Sequence, residues 1–502
     1  MLTKEVNVIH KKYSKKLVNI ALLYPNKYQA GIESLAIQIL YMLFNRVEEF
    51  YCQRVYSQPP YLSMEEGKKL ADFKIISVTF QYENDYFNFI KTLLKSGIEP
   101  KSVNRVHGPL IIAGGPCVTE NPLPISPFID VFIIGEVEPI FQTLKNAILS
   151  YINSGDLDVF KKIPGAYIPS IMKNEFVTRV WAHNLDSLPY PTSQVLPAVT
   201  GLFGKHPIAF GSSFMVEISR GCTRNCKFCL IGCQSLPYRE RSLGKLKEII
   251  LDGLVKTSRK RVSIISSAFS DYSNLLELLK FIVDNKIHVI TPSLRADRVT
   301  EEAVRLIKES GEQSVTIAPE AASDRLLNYL NKRLTLDDVL KASEKIKLAG
   351  LNKIKLYFMY GLPSETIDET LKIKNLVDRI SEKGFKKKNI TVNLTPFIPK
   401  PHTQFQRMPQ MSFKELIKRE SILLKNLRRE GYNVKSYNVK DAVIQAILSR
   451  GDPSVGDVIE TAVKYGGSWL AWRKAVEKHG FEEGKFLNEM DEKNLPWKFI
   501  KI

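Results

Sequence analysis

Short apolar runs alternate with amphipathic stretches of helical length over residues 17–150, and the same alternation returns from residue 213. Continuous apolar runs bounded by turn residues mark strands buried on both faces, and helix-length spacers between them predict parallel sheets. In the first series, residues 17–23 read as the opening strand, and residues 33–47, with Leu35, Ile39, Leu40 and Leu43 on one face, as the helix after it. Residues 75–80, 110–113 and 131–134 continue the series, which predicts a doubly wound, Rossmann-like α/β domain with its ligands at the carboxyl ends of the strands. The second series offers strands at 213–219, 261–266, 288–293, 313–318, 353–360 and 389–395, a partial (β/α)6 barrel with an open side. One of its helices is fully punctuated: Thr300 caps it, Glu301 and Glu302 suit its positive end, Ala303, Val304, Leu306 and Ile307 form its inner face, and Gly311 ends it.

Between the two series, residues 164–182 read as a β-hairpin, and a proline-punctuated stretch from Leu188 to Pro207 reads as a connector. Residues 411–502 read as a separate helical region in which Trp469, Trp472 and Trp497 pack a small core. The expected division is therefore 1–187, a linker over 188–212, 213–410 and 411–502.

Composition narrows the setting. The chain has 502 residues, 44% hydrophobic and 25% charged, which excludes a disordered chain and allows two or three domains. Four of its six cysteines fall between residues 222 and 233, while Cys52 and Cys117 sit in apolar stretches as small hydrophobes. That usage, the absence of an apolar run near the roughly 18 residues of a membrane span, and a start (Met1-Leu2-Thr3-Lys4-Glu5) without a signal-peptide core place the protein in the cytosol. The formal charge of +19 suits an anionic partner such as nucleic acid, lipid headgroups or an acidic carrier, although solvated lysine-rich helix faces produce the same excess.

The sharpest chemistry is Cys222, Cys226 and Cys229, spaced Cys-x3-Cys-x2-Cys with Phe228 before the last cysteine, directly after a strand. Three thiolates on one loop can hold three irons of a [4Fe–4S] cluster and leave the fourth open for chemistry. A structural zinc site takes four ligands in closed pairs, and the Cys-x2-Cys pair has no partner pair. Cys233 as a fourth ligand would close the site; the loop's place at a barrel strand end favours the open cluster and leaves Cys233 an extra thiol. The spacing resembles the signature of the radical S-adenosylmethionine (SAM) superfamily. That resemblance implies SAM bound at the free iron, cleavage to a 5'-deoxyadenosyl radical, and an external electron donor.

SAM needs a cation for its carboxylate, acceptors for its amino and hydroxyl groups, and close backbone approach beside its ring. The strand ends supply Ser266, Ser267, Arg295, Glu320, Ser323 and Gly361, which with Phe228 are the candidate SAM contacts. His402, in a proline-rich rim segment, is a candidate substrate contact or a loop-packing residue.

Further runs sharpen the resemblance to the B12-binding-domain-containing radical SAM proteins, a largely uncharacterised branch. They are Glu217 to Cys229, Tyr238 to Ser242, Phe397 to Thr403, Ser449 to Asp452, Tyr82-Glu83-Asn84 and Ile112 to Pro116. Cobalamin-binding domains of this fold can carry Asp-x-His-x-x-Gly after the first strand, then Ser-x-Leu and Gly-Gly. Here the corresponding positions are Asn26, Tyr28 and Gly31, then Ser77, then Gly114 and Gly115. Tyrosine does not replace imidazole as a nitrogen donor, so cobalamin at this site lacks a histidine ligand. The alternative is a fold kept for substrate binding or domain packing without B12.

The expected activity is hydrogen abstraction from an unactivated carbon of an RNA, a peptide or a lipid intermediate, with C-methylation where cobalamin is present. Two alternatives remain. One is methylthiotransferase-like RNA modification, which usually carries a second cysteine-bound cluster where this chain has only Cys52 and Cys117. The other is a non-catalytic iron–sulfur or zinc protein that binds nucleic acid.

Overall fold

The computed structural model describes residues 4–12, 14, 16–173, 175–198 and 213–502. The linker positions 199–212, Pro207 among them, and the first three residues lie outside the described residues. Two compact units are present: one takes the described residues of Met1–Ser212 with Ile447–Phe486 and Asp491–Ile502, the other Ser213–Ala446 with Leu487–Met490.

The first unit is built on strands β1 (Val18–Tyr24), β2 (Phe50–Tyr56), β3 (Ile75–Thr79), β4 (Leu110–Gly114), β5 (Val131–Ile133) and β6 (Ala166–Tyr167). Five run parallel in the order β2-β1-β3-β4-β5, and β6 joins the β5 edge antiparallel. The chain leaves β1 towards β2 and returns on the other side to β3, so the topological switch point lies between β1 and β3. Helices α1 (Leu35–Arg46) and α2 (Asp85–Lys95) are among those that connect the strands.

Strand β2 escaped the sequence pattern because Gln53 and Arg54 interrupt its apolar run. Both are nonetheless buried, since Arg54 pairs with Glu5 and Glu65 at 2.7 Å each and stacks over the Tyr41 ring. A charge in a strand buried along its whole length is tolerated only when paired in this way.

Two expectations for this unit are corrected. Residues 164–182 do not form a hairpin: Ala166–Tyr167 pairs with β5, and Val177–Thr178 pairs in parallel with Ile500–Lys501. Nor do residues 411–502 stand as one helical region. Helices Ser454–Lys464 and Trp469–His479 belong to the first unit, where fully buried Trp472 meets Phe87 of α2 with ring centroids 5.8 Å apart. Trp497 is buried, and Trp469 is half-buried.

The second unit follows the predicted β/α series. Its strands are β7 (Phe214–Glu217), β8 (Arg261–Ile265), β9 (His288–Ile290), β10 (Ser314–Glu320), β11 (Lys353–Tyr360) and β12 (Ile390–Pro396). A seventh, β13 (Asn433–Ser436), lies in the stretch expected to be helical and extends the sheet in parallel beside β12. It is a polar edge strand, and its exposed residues give no apolar run to read. The strands form a three-stranded sheet, β7-β8-β9, and a four-stranded one, β10-β11-β12-β13, joined by an isolated parallel bridge from Leu294 to Ile317. No pairing closes β13 onto β7 among the described residues. The helix after β9, Glu301–Glu309, has the predicted Thr300 cap on Ala303 N–H at 3.2 Å and the four predicted inward residues buried.

Candidate active site

Strand β7 delivers the chain into the cysteine loop, and a short hairpin forms the neck of that loop, with Ser219 opposite Glu240 and Arg220 opposite Arg239. Glu217 holds the base of the neck. It accepts two hydrogen bonds from Arg220 at 2.9 and 3.0 Å, and the guanidinium of fully buried Arg241 lies 3.6 Å away. Gly221 enters the loop at φ +84°, where a Cβ would stand 2.4 Å from the Ser235 carbonyl and 2.9 Å from that of Pro237. Only glycine fits there.

Farther on, the loop is tied by its backbone to two other loops of the same unit. Lys227 N–H donates to Leu330 O and Phe405 N–H donates to Lys227 O, both at 3.0 Å. Asn331 Nδ2 donates to Asn225 O at 2.8 Å, and Gln404 Nε2 to Asn225 Oδ1 at 3.1 Å. Phe228 packs on a buried cluster that includes Ala321, Leu327, Leu330, Leu362, Phe397 and Phe405. The loop is thus held against segments that follow β10, β11 and β12.

Cys226 is buried, while Cys222 and Cys229 are partly exposed. Burial pushes the Cys226 thiol up, and Lys332 and Arg295 pull it back. The Cys229 thiol, also pushed up by burial, is approached by the backbone N–H groups of Gly232 and Ile231. Such donors and cations favour thiolates that carry metal. Cys233 faces elsewhere: its Sγ donates to Cys229 O at 3.7 Å, and burial, then Cys229, push its thiol up to about 11. Among the described residues, no three His, Cys, Asp or Glu converge as a mononuclear ion requires. A cubane carries each thiolate on a separate iron, so its cysteines need not converge on one point. The donor set of Cys222, Cys226 and Cys229 fits that group.

The candidate SAM residues divide into two sets. Arg295 and Glu320 lie on the cysteine side, each within electrostatic range of Cys226. Arg295 is held by Asp297 at 2.8 Å and donates to the carbonyls of Lys332 and Arg333. Glu320 sits at φ +72°, a left-handed conformation rare for a residue with a side chain, and pairs with Lys332 Nζ at 3.4 Å. Ser266 stands beside the neck, its Oγ 2.7 Å from Ser219 Oγ, and Ser267 is exposed.

Ser323 and Gly361 have structural duties. The Ser323 hydroxyl caps the helix Asp324–Tyr329 and donates to Glu369 at 2.8 Å. Gly361, at φ +72°, donates its N–H to Glu365, and a Cβ there would meet Leu416 at 2.5 Å. His402 takes a left-handed φ of +61°, with its N–H on Gln406 Oε1 at 2.9 Å.

The sequence pattern missed Lys332 because it lies between two helices, in Asn331-Lys332-Arg333, rather than directly after a strand. Its side chain is 11% exposed, and the ammonium sits 5.8 Å over the Phe228 ring. Also missed was the pairing of Arg224 with Asp271 and, at 3.7 Å, with Asp297, which braces the start of the cysteine loop against the segments after β8 and β9.

In the first unit, Asn26 and Tyr28 face inward. Tyr28 is buried, donates to Glu5 Oε1 at 2.9 Å and packs edge-on against Tyr56, whose ring lies 2.3 Å from where a Gly31 Cβ would be. Asn26 donates to buried Asp85 at 2.7 Å. Ser77 is buried within β3. A Cβ on Gly114 would make an ordinary contact with Ile133 O at 3.8 Å, whereas one on Gly115 (φ +102°) would strike Phe80 O at 2.6 Å. Tyr28, committed to Glu5, does not fit as a cobalt ligand.

Known proteins bear on this arrangement. Residues 216–377 match the model of the radical SAM superfamily, and residues 36–169 match that of radical SAM proteins, N-terminal. The chain belongs to the radical SAM superfamily; it is an enzyme of that class, with a [4Fe–4S] cluster, SAM and an external reductant as its requirements. Within that class its family is that of the uncharacterised protein MJ0966 of Methanocaldococcus jannaschii, 33% identical over 487 residues, 97% of this chain and 99% of that protein.

The ribosomal protein uS12 methylthiotransferase RimO of Thermoanaerobacter sp. is 26% identical over 231 residues, 43% of this chain and 51% of that one. Among solved structures, the radical SAM methyltransferase TsrM of Kitasatospora setae, with tryptophan and a SAM analogue bound, superposes with a TM-score of 0.58 at 13% identity. The match covers 92% of this chain and 99% of that one. The cobalamin-dependent radical SAM enzyme OxsB, with aqua-cobalamin bound, gives 0.54 at 13% identity over 95% of this chain and 77% of that one. These structures share the fold. No helix among the described residues is long and apolar enough to cross a membrane.

Proposed function

We propose that this enzyme generates a carbon radical on an unactivated position of its substrate, with the cysteine loop of the second unit as the reacting centre. The observation that carries the reading is the loop itself: three cysteines after β7, fixed by backbone hydrogen bonds to the segments after β10 and β12. Cys222, Cys226 and Cys229 would hold a [4Fe–4S] cluster there, which when bound would supply the electron for reductive cleavage of SAM to methionine and a 5'-deoxyadenosyl radical.

The chain's own residues then bind and orient. Lys332, with its ammonium shielded and close to Cys226, supplies the cation for the SAM carboxylate. Arg295 fixes the backbone that carries Lys332, and Glu320 accepts from the SAM amino or hydroxyl groups. Phe228 closes the apolar floor and keeps water from the radical. Ser266 is available beside the neck, whereas Ser323 and Gly361 act by shaping the turns. The test is anaerobic reconstitution with iron and sulfide, reduction with dithionite and assay of 5'-deoxyadenosine. A protein that carries a full cluster but yields none with SAM would overturn this reading.

Cobalamin-dependent C-methylation is favoured as the specific outcome by one observation, the fold likeness to TsrM and OxsB across both units. The first unit offers bare backbone at Gly114, with Ser77 inside β3 and Gly115 directly after β4, but no ligand from Tyr28 or Asn26, so no step is derived through cobalt. Retention of cobalamin absorption after desalting decides between this outcome and radical chemistry without B12. Methylthiotransferase-like modification is the weaker alternative, since those relatives align with less than half of the chain.

A further inference from the structure

The helix-free face of the sheet β10-β11-β12-β13 carries an unusual set of side chains. In a closed β/α barrel this face is packed with branched apolar residues. Here the residues that alternate with the buried Ile354, Leu356 and Phe358 are Lys353, Lys355 and Tyr357, all exposed, and Tyr357 keeps 43% of its surface. On β12 the same face presents Thr391, Asn393 and Thr395, and on β13 exposed Asn433 and Lys435.

Register aligns these into rows. Thr316, Lys355, Thr391 and Asn433 lie side by side on the four strands, and in the next row Tyr357, Asn393 and Lys435 are neighbours. Asn433 donates to Thr391 at 3.2 Å. The side chains of Tyr357, Asn393, Thr395 and Lys435 make no hydrogen bond or ion pair among the described residues, and Glu312 is a carboxylate within electrostatic range of Lys355. A sheet face with polar side chains that have no protein partner is open to a ligand rather than packed as a core.

We infer that this face is the substrate subsite of the enzyme and that it takes a phosphorylated group, held between Lys355 and Lys435 with Tyr357 and Asn393 as further donors. The two lysines are separated by two strand spacings across the sheet and two residues along it, about 12 Å between Cα atoms, so their side chains can converge on one anion above Asn393. Two ammonium groups reaching one point bring two positive charges to a single anion, which matches the two charges and several oxygens of a phosphoryl group better than the single charge of a carboxylate. The inference rests on the proposed radical SAM centre at the carboxyl ends of these same strands, and it names the chemistry of what that centre acts on.

The test is calorimetric titration of inorganic pyrophosphate into the full-length, cluster-reconstituted protein. Wild type binds saturably. Lys355→Met with Lys435→Met weakens binding by about tenfold or more, and Lys355→Arg with Lys435→Arg retains it. Lys386→Met with Lys388→Met, which removes equal charge from the exposed turn that leads into β12, leaves it unchanged. Absence of saturable binding by wild type overturns the inference. So does equal affinity in the Lys355/Lys435 double methionine variant, or an equal loss in the Lys386/Lys388 control. Deoxyadenosine assayed on the same wild-type preparation separates the two failures: turnover without pyrophosphate binding removes only the subsite, and binding without SAM cleavage removes the radical reading.

Discussion

Replacing Gly221 by alanine tests whether the cysteine loop is preorganised by its neck. At φ +84° a side-chain-bearing residue costs about 1–2 kcal/mol, because Cβ crowds the adjoining carbonyl. The added methyl would also stand 2.4 Å from Ser235 O and 2.9 Å from Pro237 O, both backbone atoms that cannot swing aside. Relief requires the neck pairs Ser219–Glu240 and Arg220–Arg239 to open. Together these place the penalty at about 3 kcal/mol, which depletes the competent loop by roughly a hundredfold. Gly232→Ala is the control within the same loop, since its Cβ meets nothing within 4 Å and its N–H towards Cys229 survives. Both variants are reconstituted, and iron per chain and deoxyadenosine formation are measured beside circular dichroism. The expected result is a folded Gly221→Ala protein with little cluster and a Gly232→Ala protein like wild type. Full iron and turnover in Gly221→Ala would refute a neck-determined site.

Three further outcomes are expected. Cys233→Ser keeps its iron content, because that thiol is turned to the Cys229 carbonyl; a fall to the iron content of Cys226→Ala would make it a ligand. Lys332→Met weakens SAM binding by about 10- to 100-fold, the worth of one hydrogen-bonded charge, with partial recovery in Lys332→Arg. Equilibrium dialysis against labelled SAM reads this, and unchanged affinity would return the carboxylate to Arg295. In the first unit, burial pushes the Asp85 carboxyl from 3.8 up to about 7, against hydrogen bonds from Asn88 and Asn26. Between those pH values the native protein holds a proton that the unfolded chain has released, so stability falls as pH rises and the penalty is complete above about pH 7, at most about 4 kcal/mol. Asp85→Asn keeps the oxygen that both asparagines donate to and loses the penalty, so its melting temperature drops less than that of wild type between pH 5 and pH 8; parallel profiles would contradict this.

What the sequence made legible follows from which signals are local. Strands β7 to β12 of the second unit and the Thr300-capped helix were readable because apolar runs and caps are written in consecutive residues, whereas the polar edge strand β13 was not. Strand β2 was not, because Arg54 becomes tolerable inside a sheet only through Glu5 and Glu65, partners 49 and 11 positions away. The placement of Trp472 against Phe87 likewise depends on distant chain segments. At the site, the cysteine spacing located the centre, and strand ends located Arg295 and Glu320. Lys332 lies on a helix-to-helix turn and carries no motif; its proximity to Phe228 and Cys226 exists only in the folded chain. Ser323 drew attention for its strand-end position, yet its hydroxyl is used as a helix cap, a role equally compatible with the same sequence pattern.

The central claim is that Cys222, Cys226 and Cys229 hold a cluster whose open iron activates SAM. Its most direct test is 5'-deoxyadenosine formation under anaerobic, dithionite-reduced conditions by wild type and by the three single alanine variants, each scored with its iron and sulfide content. The account predicts about four irons per chain and SAM-dependent deoxyadenosine for wild type, and neither for any of the three variants. Deoxyadenosine at wild-type yield from a variant lacking one of these cysteines would contradict it.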